Sequence, residues 1–288
     1  MADTTVPNPD PAKVTEIAST RRAKNRDLRR QPVFTAISWA ALAFLYAPVF
    51  VLVVFSFNAN RSVIKWTEPS WAWYKAALAN EQIRDAALLS LQVAAIATFF
   101  ATLAATLAAI ATTRSGAFKG RNIVLAVINQ PLMVPEIVTA VATLSLFALL
   151  RSVTGVTGIG WLILAHTVFY VPFAFMPIRA RLVDMSDTFE LAAADLYASP
   201  WRVFRRVTLP LLAPGIVAGA MLSFVVSLDD VIITLMIAGP GETTLPIYML
   251  GQIRRGITPE INAVSTILIA LTVLFVGLFF ALQRRGRG

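Results

Sequence analysis

Residues 86–113 read AALLSLQVAAIATFFATLAATLAAIATT, twenty-eight positions without one charged side chain. A helix at the edge of a soluble core keeps a polar face. Here Ala, Leu, Ile, Val and Phe go all the way round, interrupted only by scattered Ser, Thr and Gln. About 20 apolar helical residues cross a bilayer core of about 30 Å, so this stretch is long enough to span. Working outward, five more runs free of Lys and, apart from Arg151 just beyond one of them, of Arg have similar length: Val33 to Phe57, Asn122 to Leu150, Ile159 to Ile178, Pro214 to Ile237 and Ile261 to Leu282. None shows the alternation of barrel strands. The expected fold is all-α, a polytopic membrane helical bundle of six transmembrane helices, with kinks at Pro131, Pro135 and Pro172.

The whole-chain figures agree. Of 288 residues 57% are hydrophobic and 14% charged, against about 25% charged in soluble domains, which excludes an ordinary soluble enzyme. It also excludes disorder, which needs low hydrophobicity and high charge density. The net charge of +9 suits either a nucleic acid or membrane edges, and the placement of the basic residues decides. Seven lie in the N-terminal tail (Lys13 to Arg30), three at Arg114, Lys119 and Arg121, five from Arg179 to Arg206, and three at Arg284, Arg285 and Arg287. The opposite side carries seven: Arg61, Lys65, Lys75, Arg84, Arg151, Arg254 and Arg255. By the positive-inside rule both termini are cytoplasmic. The basicity marks orientation, and no nucleic-acid partner is implied.

Residues 1–32 read as a flexible basic cytoplasmic tail, 33–283 as the six-helix domain and 284–288 as a second tail. The first apolar run is too long for a signal-peptide core and reads as an uncleaved anchor. Between Asn58 and Asp85, Trp66, Trp71, Trp73 and Tyr74 suit an interfacial helix at the headgroups, with membrane lipid as its neighbour, or a docking face. There is no repeat of 20 to 50 residues. With no cysteine there is no disulfide or thiolate metal site.

The connection 179–213 is longer than a loop requires. Asp187 followed by Glu190 matches a capping box, and Ser199 before Pro200 matches an N-cap with proline at the first helical position. Two short helices follow, around Leu191 to Ala198 and Trp201 to Val207, the second ending before Leu209 and Pro210. Spacing alone leaves open an amphipathic hairpin on anionic headgroups or a docking element for another protein.

From Glu190 to Pro214 the chain reads ELAAADLYASPWRVFRRVTLPLLAP. This resembles the cytoplasmic signature loop of permease subunits of binding-protein-dependent ABC importers: Glu-Ala-Ala, three residues, Gly, nine residues, Ile, one residue, Leu-Pro. The pattern falls on Leu191, Ala192, Ala193, Tyr197, Val207, Leu209 and Pro210. It departs at Leu191, with an acid instead at Glu190, at Tyr197 for Gly, and at Val207 for Ile. A tyrosine lacks glycine's backbone freedom, which shifts the expected bend to Ala198 to Pro200. The resemblance implies a type I ABC importer permease-like fold in the bacterial inner membrane. It implies that Glu190, Leu191, Ala192, Ala193, Asp195, Tyr197, Ala198, Ser199, Pro200, Arg202, Phe204, Leu209 and Pro210 couple the chain to an ATPase.

Leu228 to Thr234 (LDDVIIT), Ala238 to Pro246 (AGPGETTLP) and Arg254 to Ala263 (RRGITPEINA) resemble a permease subunit of spermidine/putrescine transporters, as do Pro131 to Glu136 and the region from His166 to Leu182. The implied partners are a second, similar permease, two ATPase subunits and a periplasmic solute-binding protein. ATP and Mg would sit on the ATPase; the chain has no phosphate-binding Gly-x-x-x-x-Gly-Lys-Ser/Thr pattern, and no cofactor or metal is expected in it. It is not expected to be an enzyme, having no nucleophile with a base and no metal-ligand cluster. Alternatives are an importer for a phosphonate, thiamine or ferric iron, or a secondary transporter.

Acids at span depth are few and costly, roughly 2.5–3.5 kcal/mol each mid-bilayer: Glu136, Asp229 and Asp230. A small cationic substrate gives them a purpose, with Trp161, Tyr170 and Tyr248 offering aromatic faces to amines and Glu242 in the last outer loop. About 100° apart on a helix, Asp229 and Asp230 would not both face a path. His166, the only histidine, reads as a packing residue bonded to a neighbouring helix.

Overall fold

The computed structural model describes residues 32–61, 65–116, 118–256 and 258–285. Almost all of the tail expected at 1–32, and residues 286–288, lie outside these. Two compact units are present, 1–54 and 55–288. The first holds nearly all of α1 (Pro32–Phe55), a 24-residue apolar helix. The second contains every other element. Among the described residues six helices are long and apolar enough to cross a membrane, and no strand occurs. The chain is a multi-pass membrane protein.

The second unit opens with a folded connection. Asn58 is buried: its Nδ2 donates to the Lys65 carbonyl (2.7 Å), while its Oδ1 accepts from the Thr67 N–H (3.0 Å) and hydroxyl (3.2 Å). Trp73 Nε1 donates to the Asn58 carbonyl at 2.8 Å, and Phe57, Trp71 and Tyr74 stack together at centroid distances of 4.9 to 5.2 Å. The helix expected in this segment is α2 (Ala72–Ala79). Asn80 then caps α3 (Glu81–Thr113), its side chain accepting from Gln82 and Ile83 N–H groups, so the second span begins five residues earlier than hydropathy suggested.

The third run is not one helix. It comprises α4 (Arg121–Met133) and α5 (Glu136–Thr154), separated by extended backbone at Val134 and Pro135. Proline disfavours helical geometry in the residue before it, so Pro135 gives a break where a kink was expected. The helix α6 (Gly160–Asp184) by contrast runs through Pro172 and Pro177, and Pro131 lies near the end of α4.

The core is α3, α6 and α9 (Leu209–Leu228). Lipid is as apolar as leucine, so packing comes from close approach of small residues. On α3, Ala97, Ala101, Ala105 and Ala109 recur every four residues and are fully buried. On α9, a Cβ on Gly219 would lie 2.5 Å from the Ala174 carbonyl oxygen of α6, and one on Gly215 would lie 2.7 Å from Arg181 Cβ. The fully buried Phe175, Ile178, Leu182 and Leu212 fill the same crossing.

Between α6 and α9 come α7 (Thr188–Asp195), α8 (Pro200–Val203) and a π-helical turn, Phe204–Thr208. The second short helix was expected to stop before Leu209. Instead it continues through the π-turn into α9, with Leu209 N–H donating to the Phe204 carbonyl five residues back. Pro210 has no N–H, and its ring crowds the carbonyl four residues earlier; one wider turn accommodates both.

The fifth run also differs from expectation. α9 stops at Leu228, Asp229 and Asp230 lie in a break, and α10 (Ile232–Ile237) follows. The 100° helical separation of the two acids therefore does not apply. The last elements are α11 (Leu245–Arg255) and α12 (Pro259–Arg285).

Candidate functional site

Two places on the second unit carry chemistry. The first is the break after α9. Asp229 occupies the C-cap position and is exposed. Asp230 is buried and holds the start of α10: Oδ2 accepts from the Thr234 N–H (2.8 Å) and hydroxyl (2.7 Å), and Oδ1 from the Ile233 N–H (3.3 Å). Those N–H groups have no helical acceptor at the beginning of a helix. Asp230 is thus committed to the fold, while Asp229 is left exposed at the end of α9.

His166 of α6 lies beneath this break, 1% exposed, with Nδ1 2.8 Å from Ser227 Oγ and Nε2 3.0 Å from Thr234 Oγ1. Its packing role is as expected from its solitary position; its partners, Ser227 and Thr234, carried no sequence signal. At the other end of α10, Arg151 Nη2 of α5 donates to the Ile237 carbonyl at 3.1 Å. Glu136, the exposed first residue of α5, is near enough to Asp230 to interact with it, as are Asp229 and the buried Tyr170. Pro135 begins α5 and Leu228 ends α9, so two helix breaks bring three carboxyl groups and a phenol together.

The other aromatic candidates are elsewhere. Trp161 packs on Phe147 at 4.9 Å and carries the Arg151 guanidinium 5.9 Å from its ring centre, so one face is already taken by a cation. Tyr248 on α11 lines a separate cavity of about 710 Å³ with Gln82, Asp85, Gln92, Thr243 and Arg255. Glu242 accepts from the Gly239 N–H at 2.7 Å, closing its own loop.

The second place is the bend between α7 and α8. Asp187 makes no side-chain cap bond, so the expected capping box is absent. Glu190 instead pairs with Arg114, at the end of α3, at 3.0 Å and accepts from Thr208 Oγ1 at 2.8 Å. Arg114 Nη2 also donates to the Met185 carbonyl at 3.0 Å. Nothing local marks Arg114 as the partner, since it lies 76 positions away.

The bend turns at Tyr197, not at Ala198 to Pro200. Its φ is +59°, the left-handed region where a glycine is usual. Ala198 N–H donates to the Ala193 carbonyl (3.2 Å) and Tyr197 N–H to that of Ala194 (2.9 Å), the paired bonds of a Schellman ending. Tyr197 thus adopts the backbone of the glycine it replaces, and its ring is 97% exposed. Leu191, Leu196 and Trp201 are exposed beside it, as are Ala192, Asp195, Ser199, Pro200 and Arg202. Ser199 has the extended backbone of an N-cap with Pro200 next, as expected, but its side chain makes no cap bond. Phe204 stacks on Trp201 at 5.5 Å.

Residues 97–285 match the family of binding-protein-dependent transport system inner membrane components. The chain is 37% identical over 253 residues to the putrescine transport system permease protein PotI of Escherichia coli (strain K12), covering 85% of this chain and 88% of that one. It is 36% identical to the spermidine/putrescine transport system permease protein PotC of Haemophilus influenzae, covering 87% and 96%. A bacterial ABC transporter involved in the import of the acidic polysaccharide alginate has a chain of the same fold, with a TM-score of 0.68 at 16% identity over 90% of this chain and 98% of that one. With most of its length matched, the broken spans in place and the exposed bend between its fourth and fifth membrane helices, the chain belongs to the family of binding-protein-dependent transport system inner membrane components and is an ABC importer permease.

Proposed function

We propose that the chain moves polyamines, putrescine or spermidine, inward by alternating access, as one of two similar permeases above two ATPase subunits and below a periplasmic solute-binding protein. Both termini are then cytoplasmic, and the bend of α7 and α8 faces the ATPase, which holds the ATP and Mg. The observation that carries the substrate assignment is the carboxyl cluster of Glu136, Asp229 and Asp230 at the paired helix breaks. Two exposed acids there suit a chain of protonated amines, with Tyr170 alongside. A phosphonate would meet like charge at the same place. The names of the relatives point the same way.

The bend supports the coupling role because it is apolar, exposed and firmly attached: Leu191, Leu196, Tyr197 and Trp201 project from it, while Glu190 ties it to α3 and the π-turn. Arg202 and Asp195 supply charges at its edge, and Leu209 and Pro210 begin the span it drives.

The test is uptake of labelled putrescine and spermidine in a strain stripped of other polyamine systems. Expression of this chain with its partner subunits should restore uptake, and Asp229→Asn and Glu136→Gln should each lower it without loss of assembled complex. Undiminished uptake in both variants would return the acids to a structural role, and no uptake of either amine by the unmodified complex would overturn the assignment.

A further inference from the structure

The paired acids are useful only if the break that presents them has one geometry, and a break between α9 and α10 has no backbone ladder to fix it. We infer that His166 is the positioning residue that sets this geometry, by joining the two sides of the break through a neutral, directional hydrogen-bond chain. The inference rests on the substrate reading of Asp229 and adds a residue that itself touches no substrate.

The direction of the chain follows from counting protons. The Thr234 hydroxyl has one, and it goes to Asp230 Oδ2 at 2.7 Å. At 3.0 Å from His166 Nε2, the same oxygen therefore accepts, so Nε2 carries the ring proton. Asp230 Oδ2 lies 3.5 Å from the same nitrogen, too long for a strong hydrogen bond; with the ring neutral, Nδ1 is the acceptor and Ser227 Oγ at 2.8 Å donates to it. The chain runs Ser227 to His166 to Thr234 to Asp230. Ser227 is in the last turn of α9, two residues before Asp229, and Thr234 is in the first turn of α10. A single imidazole from α6, 1% exposed, spans the break from one side to the other.

The far end of α10 is held independently, by Arg151 on the Ile237 carbonyl. With both ends of this six-residue helix fixed to other spans, the backbone of Asp229 has little freedom to drift. Removing the imidazole releases the near end only. Ser227 and Thr234 lose their common partner, α9 and α10 separate, and the Asp229 carboxyl is no longer held in the cluster that Asp230 shares with Glu136. The chain needs one acceptor and one donor about as far apart as the two ring nitrogens, and no positive charge. A glutamine amide offers both.

The measurement is putrescine taken up per ATP hydrolysed by the complete transporter in proteoliposomes, with Asp229→Asn run in parallel. A variant that merely folds less well lowers uptake and hydrolysis together and leaves their ratio unchanged. His166→Ala removes both arms and should lower the ratio about thirtyfold, the factor expected from two lost hydrogen bonds, Ser227→Ala should lower it about fivefold, and His166→Gln should restore it to within about twofold. Ser227→Ala removes one arm only and reads the same ratio should His166→Ala fail to assemble. If Asp229→Asn lowers the ratio while His166→Ala and Ser227→Ala leave it unchanged, the positioning role is overturned and the substrate reading stands. If Asp229→Asn leaves the ratio unchanged, the substrate reading falls and this inference with it. A fall in His166→Ala that His166→Gln does not repair overturns the neutral hydrogen-bond chain.

Discussion

Replacing Arg114 by alanine should loosen the bend of α7 and α8 without disturbing the helices beneath it. The helix α7 has no buried residue, so its attachment rests on a few polar contacts. Glu190 meets Arg114 at 3.0 Å, with the two side chains 18% and 20% exposed, and takes the Thr208 hydroxyl at 2.8 Å. Arg114 also holds the Met185 carbonyl at 3.0 Å. A charge-assisted hydrogen bond contributes about 1.5–3 kcal/mol, and partial exposure reduces the ion pair's share. The Thr208 bond survives the substitution, so the net loss is about 2 kcal/mol of local stability. That corresponds to roughly 30-fold more frequent opening. Hydrogen exchange in the solubilised complex should show amides of residues 191–197 exchanging about 30-fold faster, with α6 unchanged. Glu190→Gln should give a similar change, and the double variant little more than either alone, because the two side chains act on one another. Exchange within about threefold of the unmodified protein, or fully additive effects, would refute this account of what holds the bend.

At the crossing of α6 and α9, Gly219→Ala puts a methyl against a backbone carbonyl that cannot yield, so the helices must part at a cost of about 1–3 kcal/mol. The thermal midpoint of the complex should fall by about 5 °C. Gly251→Ala is the control, since an added Cβ there finds only Arg255 Nη2 at 4.0 Å, and an equal fall would count against the close crossing. Tyr197→Gly removes the cost of about 1 kcal/mol that a side chain bears at positive φ, so the Ala198 amide should exchange a few-fold more slowly. The same variant removes the most exposed ring of the bend, so transport-coupled ATP hydrolysis should drop even as the bend tightens; faster exchange at Ala198 would contradict the strained turn.

The spans were legible because length without charge is a property of each segment by itself. Residues 86–113 need no partner to be read as membrane-crossing. Their interruptions were less so. Pro135 announced a disturbance, since proline acts locally, but Val231 to Ile237 is as apolar as the residues before Leu228, and the two acids between them mark a cost without marking a helix end. What ends α9 is Asp230 bonding to Ile233 and Thr234, braced by His166 more than sixty positions earlier. Glu190 failed in the same way. Its spacing from Asp187 suited a cap, but its stronger partner came from Arg114. At Tyr197 side-chain sterics disfavour a left-handed turn, and the Schellman bonds of the surrounding frame outweigh that reluctance. The acids stood out in the sequence because the cost of a charge in an apolar run is intrinsic to the residue. The aromatic faces depended on packing, and Trp161 was already occupied.

The π-turn at Phe204–Thr208 joins α8 to α9 without a gap, so Pro200 to Leu228 is a single rod of 29 residues, about 43 Å long. One end of this shaft carries the exposed bend and the other ends at Asp229. Tilting it by about 5° about the bend sweeps the acidic end through about 4 Å, by the same length arithmetic. A displacement of that size exceeds the reach of a hydrogen bond. On the proposed function, a small push at the bend would be geared into making or breaking a grip on an amine at the far end, with no need for any element between them to unfold.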